Sequence, residues 1–176
     1  MSLQGKRVAV LAEDNYQDLE LWYPLLRLRE AGAETVVVGT GSKNTYASQH
    51  GYPVEAAMAA DKAEAKDFAG VVIPGGWAPD RLRRYPAVLS FIKDMFDQGK
   101  VVAAICHAGS VLVSAKVLSG RTMTCVSAIK DDVINAGATY VDQEVVRDGN
   151  LITSRLPQDL PAFCRETIAA LEEQRA

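Results

Sequence analysis

A cysteine followed at once by a histidine stands where an apolar run, residues 100–105, gives way to a helix-like segment. This is the strand–turn–helix context of a nucleophile elbow, which presents its nucleophile at the carboxyl end of a sheet. Unpaired N–H groups at a helix start favour a thiolate, so we expect the pKa of Cys106 to lie below about 8.5. The alternative is a buried structural cysteine. The pattern favours nucleophilic catalysis by Cys106.

The neighbouring residue His107 has two interpretations. It is a general base if the turn is sharp enough to bring its ring back to the sulfur, and otherwise a structural side chain. Cys125 lies in an apolar run and Cys164 on an amphipathic helix, so we expect both to be core residues. His50 lies in a polar segment and is expected to be solvated.

A glycine pair, Gly75-Gly76, ends another apolar run. Two glycines let a backbone approach a ligand closely. Their N–H groups, together with that of His107, are the predicted donors of an oxyanion hole beside Cys106. The alternative is an ordinary tight turn.

The segments that must position these residues alternate between strand and helix patterns. Runs rich in valine and isoleucine predict strands at residues 7–12, 34–39, 70–76 and 100–105. Helical periodicity and stop signals predict helices at residues 18–31, 86–99, 107–116 and 160–173. A small edge hairpin is expected within residues 41–54, and Asp148-Gly149-Asn150 predicts a hairpin turn. This alternation predicts an α/β fold with a mostly parallel sheet.

Length and composition exclude several classes of protein. The chain has 176 residues, 48% of them hydrophobic and 23% charged, with a net charge of −3. One domain over residues 1–176 is expected, and the acidic balance argues against nucleic acid or an anionic membrane as a partner. Three cysteines without a CxxC pair, and only two histidines, predict no disulfide framework, no metal and no organic cofactor. The absence of a visible signal peptide and the reduced thiols predict a cytoplasmic protein.

The chain resembles the PfpI family, within the larger superfamily that holds the parkinsonism-associated protein deglycase and the class I glutamine amidotransferases. The resemblance covers nearly the whole chain, and its matching segments are residues 19–24, 73–83, 104–107, 131–137 and 142–163. It implies a three-layer, flavodoxin-like sandwich with a cysteine nucleophile elbow. One departure stands next to the nucleophile, where Ala108-Gly109 replaces the family's Gly-Pro.

The resemblance also implies roles for individual residues. It makes Cys106 the nucleophile, His107 the adjacent imidazole and Glu20 the carboxyl group beside the sulfur. Asp80 matches an acidic residue that completes a triad with the histidine across a subunit contact, which implies a homo-oligomer, either a dimer or a dimer-based hexamer. The alternative is that Asp80 serves its own subunit as a turn residue or helix N-cap.

Glu20 also has a physical argument of its own. Pro24 has no N–H, so the helix must be irregular or only beginning near residue 20. A carboxyl group beside a thiolate should be protonated and donate to the sulfur, with its pKa raised by burial and negative charge. The alternative is that Glu20 is solvated at the start of the helix and that Glu13 or Asp14 supplies the carboxyl group beside the sulfur.

The leading functional prediction is a stress-protective enzyme acting on a small reactive carbonyl or an early glycation adduct, in the manner of a glyoxalase or deglycase. The first alternative is a redox or stress sensor without turnover, in which Cys106 is oxidised and Glu20 stabilises the product. A second alternative is an intracellular cysteine peptidase.

Overall fold

A seven-stranded sheet forms the centre of the computed structural model, which describes residues 2–174. In chain order the strands are β1 (Arg7–Ala12), β2 (Glu34–Gly39), β3 (Thr45–Ala47), β4 (Pro53–Glu55), β5 (Met58–Ala59), β6 (Gly70–Ile73), β7 (Val101–Ile105), β8 (Thr122–Met123), β9 (Thr139–Tyr140), β10 (Val146–Asp148) and β11 (Leu151–Ser154). The order in the sheet is β10-β11-β7-β6-β1-β2-β5, and only β10 runs antiparallel to its neighbour. The predicted, mostly parallel sheet is confirmed.

Helices cover both faces of this sheet. They are α1 (Asp18–Glu30), α2 (Ala78–Leu82), α3 (Pro86–Asp97), α4 (Gly109–Ala115), α5 (Lys130–Asn135) and α6 (Leu160–Glu173). Helices α1 and α6 contact each other, α3 contacts α4, and α4 contacts both α2 and α5. Burial on both faces explains why β1 and β7 are almost continuously apolar, since neither strand has a side that faces water.

The sequence predicted the long elements well and missed the short ones. Strands β1 and β2 and helix α6 have the predicted bounds, and the predicted edge hairpin is β3 paired with β4. The second hairpin is also confirmed, although Asp148 belongs to the strand and the turn consists of Gly149-Asn150. The strands β8 and β9 and the helices α2 and α5 are too short to show a clear period.

The topology brings separate parts of the chain to the carboxyl edge of the sheet. Cys106 follows β7, Gly75 and Gly76 follow the adjacent β6, and helix α1 begins after β1, on the other side of β6. No helix in the described part of the chain is long and apolar enough to cross a membrane.

Candidate active site

Cys106 sits on a sharp turn between β7 and α4. Its backbone φ is 62°, in the left-handed region that non-glycine residues rarely adopt, and a turn of 3-10 helix spans Cys106–Ala108. A strained residue held in place by the surrounding fold is a common feature of functional sites. The predicted elbow is therefore confirmed. Cys106 is only 8% exposed and lies in the wall of a cavity, through which a ligand would reach it.

Glu20 lies inside the protein at the start of α1. It is 0% exposed, and its backbone N–H is capped by the side chain of Gln17 at 2.9 Å. The helix begins at Asp18 and contains Pro24, so of the two expectations for residue 20, an irregular helix or one only beginning there, the second is confirmed. The backbone N–H of Gly75 donates to Glu20 Oε2 at 2.8 Å. The other carboxyl oxygen, Oε1, is buried and has no partner among the described residues.

Gly75 lies between the carboxyl group of Glu20 and the side chain of Cys106. A Cβ atom at position 75 would lie 2.4 Å from Glu20 Oε2 and 2.7 Å from the Cβ atom of Cys106. The absence of a side chain there lets the acid and the thiol lie close together. The prediction that the N–H of Gly75 holds an oxyanion is wrong, because that donor already holds Glu20.

Gly76 has a different role from its neighbour. Its φ is +76°, and a side chain there would lie 2.5 Å from the backbone nitrogen of Gln17, so the position requires glycine. The backbone N–H groups of His107 and Gly76 act on the sulfur and lower the pKa of Cys106. These two amides are the donors that remain for a negative charge at the reacting centre.

Glu20 and Cys106 compete for one proton. Burial raises the pKa of Glu20 to about 7. Burial and the negative charge of Glu20 raise the pKa of Cys106 to about 12, so the expectation of a lowered thiol pKa is wrong. Part of the rise in the pKa of Cys106 comes from the charge of an ionised Glu20. Protonation of Glu20 removes that part and gives the carboxyl group a hydrogen that it can donate to the sulfur. The two groups therefore titrate as a pair.

The ring of His107 turns back toward the nucleophile. Its Nδ1 atom lies 3.4 Å from Cys106 Sγ, which supports the interpretation of His107 as a base rather than a purely structural side chain. Burial lowers the pKa of His107, which favours the neutral imidazole. The ring packs against Trp77, with centroids 5.5 Å apart and planes tilted by 46°. Within residues 2–174 no carboxylate bonds this ring.

Asp80 lies on the surface, in helix α2. Its side chain is 65% exposed, and its carboxylate pairs with Arg84 one helical turn later. The N-cap position of α2 is Trp77, so the alternative that Asp80 is a helix N-cap is wrong. Asp80 makes no hydrogen bond to His107 of its own chain.

The other predicted acids, cysteines and histidine lie away from the sulfur. Glu13 is buried and accepts hydrogen bonds from Thr40 and Ser42, and Asp14 pairs with Lys43. His50 is a largely exposed side chain paired with Asp18. Cys125 and Cys164 are 1% and 2% exposed, and burial raises the pKa of both thiols, which fits the predicted core roles. Glu20 is therefore the acid that the fold places at the nucleophile.

A cavity of about 230 Å³ opens onto Cys106, Glu20 and His107. Sequence reasoning missed six residues of its wall, which are Gln17, Gln49, Trp77, Val126, Leu156 and Pro157. They come from five separate segments, so neither periodicity nor spacing connects them. The one available indication was that Trp77, Leu156 and Pro157 lie within segments that carry the family resemblance, residues 73–83 and 142–163. In the described part of the chain no group of three metal-ligating side chains occurs.

Comparison with known proteins gives matches along almost the whole chain. A model of the DJ-1/PfpI family matches residues 6–170. A deglycase of Pyrococcus abyssi is 44% identical over 166 residues, which are 94% of this chain and 99% of that protein. Protein/nucleic acid deglycase 2 of Escherichia coli is 40% identical over 95% of this chain and 98% of its own. The putative cysteine protease YraA of Bacillus subtilis is 38% identical over 96% of this chain and 99% of its own.

Solved structures give the same fold. The first is a two-domain protein of Anabaena variabilis with a DJ-1/ThiJ/PfpI-like and a ferritin-like domain. It matches with a TM-score of 0.92 and 40% identity, over 97% of this chain and 52% of that one. This chain therefore spans about half of that protein. DJ-1beta of Drosophila melanogaster matches with a TM-score of 0.88 and 28% identity, over 96% and 91% of the two chains.

Proposed function

The chain belongs to the DJ-1/PfpI family, and from that premise we propose that it is a cysteine-dependent enzyme acting on reactive carbonyls or early glycation adducts. The observation that carries the proposal is the grouping of a strained Cys106, a buried Glu20 and the ring of His107 around one cavity. Relatives named as deglycases support the reaction class. The volume of about 230 Å³ suits a small carbonyl compound or one modified side chain.

The first step is attack of sulfur on the carbonyl carbon. The thiol proton passes to His107 or Glu20, a C–S bond forms, and the π electron pair of the carbonyl group moves to oxygen. The N–H groups of Gly76 and His107, which act on the sulfur before the reaction, lie beside the attacked carbon and stabilise the charge on its oxygen.

The next step moves a proton from the attacked carbon to the neighbouring carbon, while a second proton passes from the oxygen of the first to the oxygen of the second. His107, neutral and 3.4 Å from the sulfur, and Glu20, with its unpartnered Oε1, are the groups in position to move these protons. With methylglyoxal, transfer from the former aldehyde carbon to the ketone carbon yields a thioester. Water then breaks the C–S bond, which releases lactate and restores Cys106.

We further propose that Asp80 completes the site from a second copy of the chain. The ring of His107 lacks a carboxylate partner within residues 2–174, and Asp80 is exposed on a helix that begins next to the cavity. A partner's carboxylate would orient the ring and favour the imidazolium that forms when His107 takes a proton. A homo-oligomer built from such pairs follows from this arrangement.

Lactate formation from methylglyoxal tests the enzyme directly. We expect turnover in wild type and in Cys164→Ala, a matched control whose cysteine is buried elsewhere. Turnover should be lost in Cys106→Ala. If neither wild type nor control forms lactate, the proposed activity on small carbonyl compounds is wrong, and if Cys106→Ala retains the activity, the proposed nucleophile is wrong.

One observation favours a redox sensor as the second candidate. Glu20 Oε1 is buried without a partner beside the sulfur, where a protonated carboxyl group would donate to an oxygen added to Cys106. Two equivalents of hydrogen peroxide would take the thiolate through sulfenic to sulfinic acid. Mass mapping should then find two added oxygen atoms at Cys106, with no turnover of carbonyl compounds.

Peptide hydrolysis is the third candidate, supported by the name of the relative from Bacillus subtilis. A cavity of about 230 Å³ is small for an extended chain. Cleavage of an unmodified peptide by wild type and not by Cys106→Ala would favour this candidate over the first.

A further inference from the structure

The wall of the Cys106 cavity is unusually poor in positive charge. No lysine or arginine lines it among the residues that the structure describes. Its own ionisable groups are Cys106, Glu20 and His107, and burial favours the neutral form of that histidine. Once one proton has left the Cys106–Glu20 pair, the cavity carries a negative charge with no cation in its wall.

Besides the uncharged polar side chains of Gln17 and Gln49, the rim has several apolar side chains. Trp77 is 61% exposed and Leu156 is 39% exposed, and both line the cavity together with Val126 and Pro157. In the single chain both side chains are accessible to a ligand that enters the cavity. The rim therefore combines an aromatic face and an aliphatic side chain next to the nucleophile.

Trp77 also separates this cavity from a neighbouring depression that holds cations. That depression, of about 590 Å³, is lined by Trp77 with Asn15, Asp80, Arg81 and Arg84. The guanidinium of Arg84 is paired with Asp80. These cations thus line a different depression from the Cys106 cavity, and that of Arg84 is paired with Asp80.

We propose that Trp77 and Leu156 form a subsite for an uncharged apolar group, an aryl group above all, attached to the electrophilic carbon that Cys106 attacks. This specificity rests on the proposed attack of Cys106 on electrophiles. A planar ring gains a stacking contact on the indole of Trp77. A carboxylate entering the same space meets negative charge at low local dielectric and finds no cation to pair with.

Alkylation of Cys106 measures this preference without requiring turnover. In each reaction the thiolate displaces iodide, so that an S–C bond forms as a C–I bond breaks. Three reagents present the same reactive carbon with different bodies, namely neutral iodoacetamide, anionic iodoacetate and aromatic N-benzyl iodoacetamide. Rates at one neutral pH, with mass mapping to confirm Cys106 as the site, are divided by the rates for glutathione.

In wild type we expect the alkylation rate of Cys106, divided by that of glutathione, to be about fivefold higher for N-benzyl iodoacetamide than for iodoacetamide. The same normalised rate should be about tenfold lower for iodoacetate than for iodoacetamide. Trp77→Ala and Leu156→Ala should each reduce the aryl advantage, and Trp77→Phe should keep most of it. The matched control is Ile134→Ala, an apolar residue 42% exposed and outside the cavity wall, which should behave as wild type.

Two results would overturn the subsite. One is an aryl advantage that is absent in wild type or unchanged in Trp77→Ala and Leu156→Ala. The other is iodoacetate reacting as well with Cys106 as with glutathione. The proposed function and the subsite can fail separately. If methylglyoxal yields no lactate but the alkylation ratios are as expected, the subsite stands without the proposed function. If lactate forms but the alkylation ratios are not as expected, only the subsite is wrong.

Discussion

The backbone N–H of Gly75 donates a 2.8 Å hydrogen bond to the buried carboxyl group of Glu20, although 55 residues separate the two in the chain. The bond fixes one oxygen, Oε2, and leaves Oε1 without a partner among the described residues. Gly75 therefore holds the acid in place, and its missing side chain leaves the space in which Glu20 and Cys106 lie close together.

Gly75→Ala should damage both stability and the site. The new Cβ would lie 2.4 Å from Glu20 Oε2 and 2.7 Å from Cys106 Cβ, so the acid or the elbow must shift. Overpacking of this kind costs about 1–3 kcal/mol of the free energy of unfolding, measured by urea denaturation. Gly109→Ala is the control, since its Cβ would meet the flexible end of Ile129 at 3.1 Å. Equal losses in both variants would contradict the role of Gly75.

Glu20→Gln and Glu20→Leu should give different thiol pKa values. Both remove the carboxylate charge that raises the pKa of Cys106, but only glutamine keeps a donor for the thiolate. A hydrogen bond to a charged group is worth about 1.5 kcal/mol, so the pKa in the leucine variant should be about one unit higher. Thiolate absorbance against pH measures it. The same pKa in both variants would show that residue 20 donates nothing to sulfur.

Glu20→Gln should also change how stability depends on pH. The pKa of Glu20 is raised from 4.5 to about 7, so the folded state holds a proton that the unfolded state releases between these values. The stability from this protonated carboxyl is complete below pH 4.5 and is lost as the pH rises through 7. Relative to the glutamine variant, wild type should lose about 3 kcal/mol of unfolding free energy over this window.

Thermal or urea unfolding of the reduced protein at several pH values measures this difference. Glu172→Gln, which changes an exposed acid, is the control and should follow wild type. A constant difference between wild type and Glu20→Gln across the window would mean that Glu20 is ionised in the folded protein.

Subunit mixing should reveal whether Asp80 acts in trans. In a mixed dimer of Cys106→Ala and Asp80→Ala chains, both changes fall in one site and the other site is intact. Random mixing in equal amounts makes half of the dimers mixed, so about a quarter of the wild-type activity should return. Asp97→Ala is the matched control, because Asp97 is an exposed acid paired with Lys93 one helical turn away. Mixed oligomers that stay inactive would place Asp80 in its own chain or outside catalysis.

The sequence alone determined the sheet and the position of the nucleophile, because both depend on local patterns. Continuous apolar runs such as residues 7–12 predict strands that are buried on both faces of the sheet. A cysteine between such a run and a helix indicates an elbow, and the φ of 62° at Cys106 agrees. The family resemblance implied that Glu20 lies beside the sulfur, and Pro24 indicated a helix that is irregular or only beginning near it.

Only the tertiary structure decided what surrounds the sulfur. The pKa of Cys106 is raised rather than lowered because packing excludes water and places Glu20 beside it, and neither effect is local in sequence. The N–H of Gly75 is occupied because helix α1 folds against the end of β6. Trp77 and Leu156 share one cavity because loops from both sides of the nucleophile meet at the same edge of the sheet. Burial and contacts between distant segments arise only when the chain closes on itself, and they set the chemistry of this site.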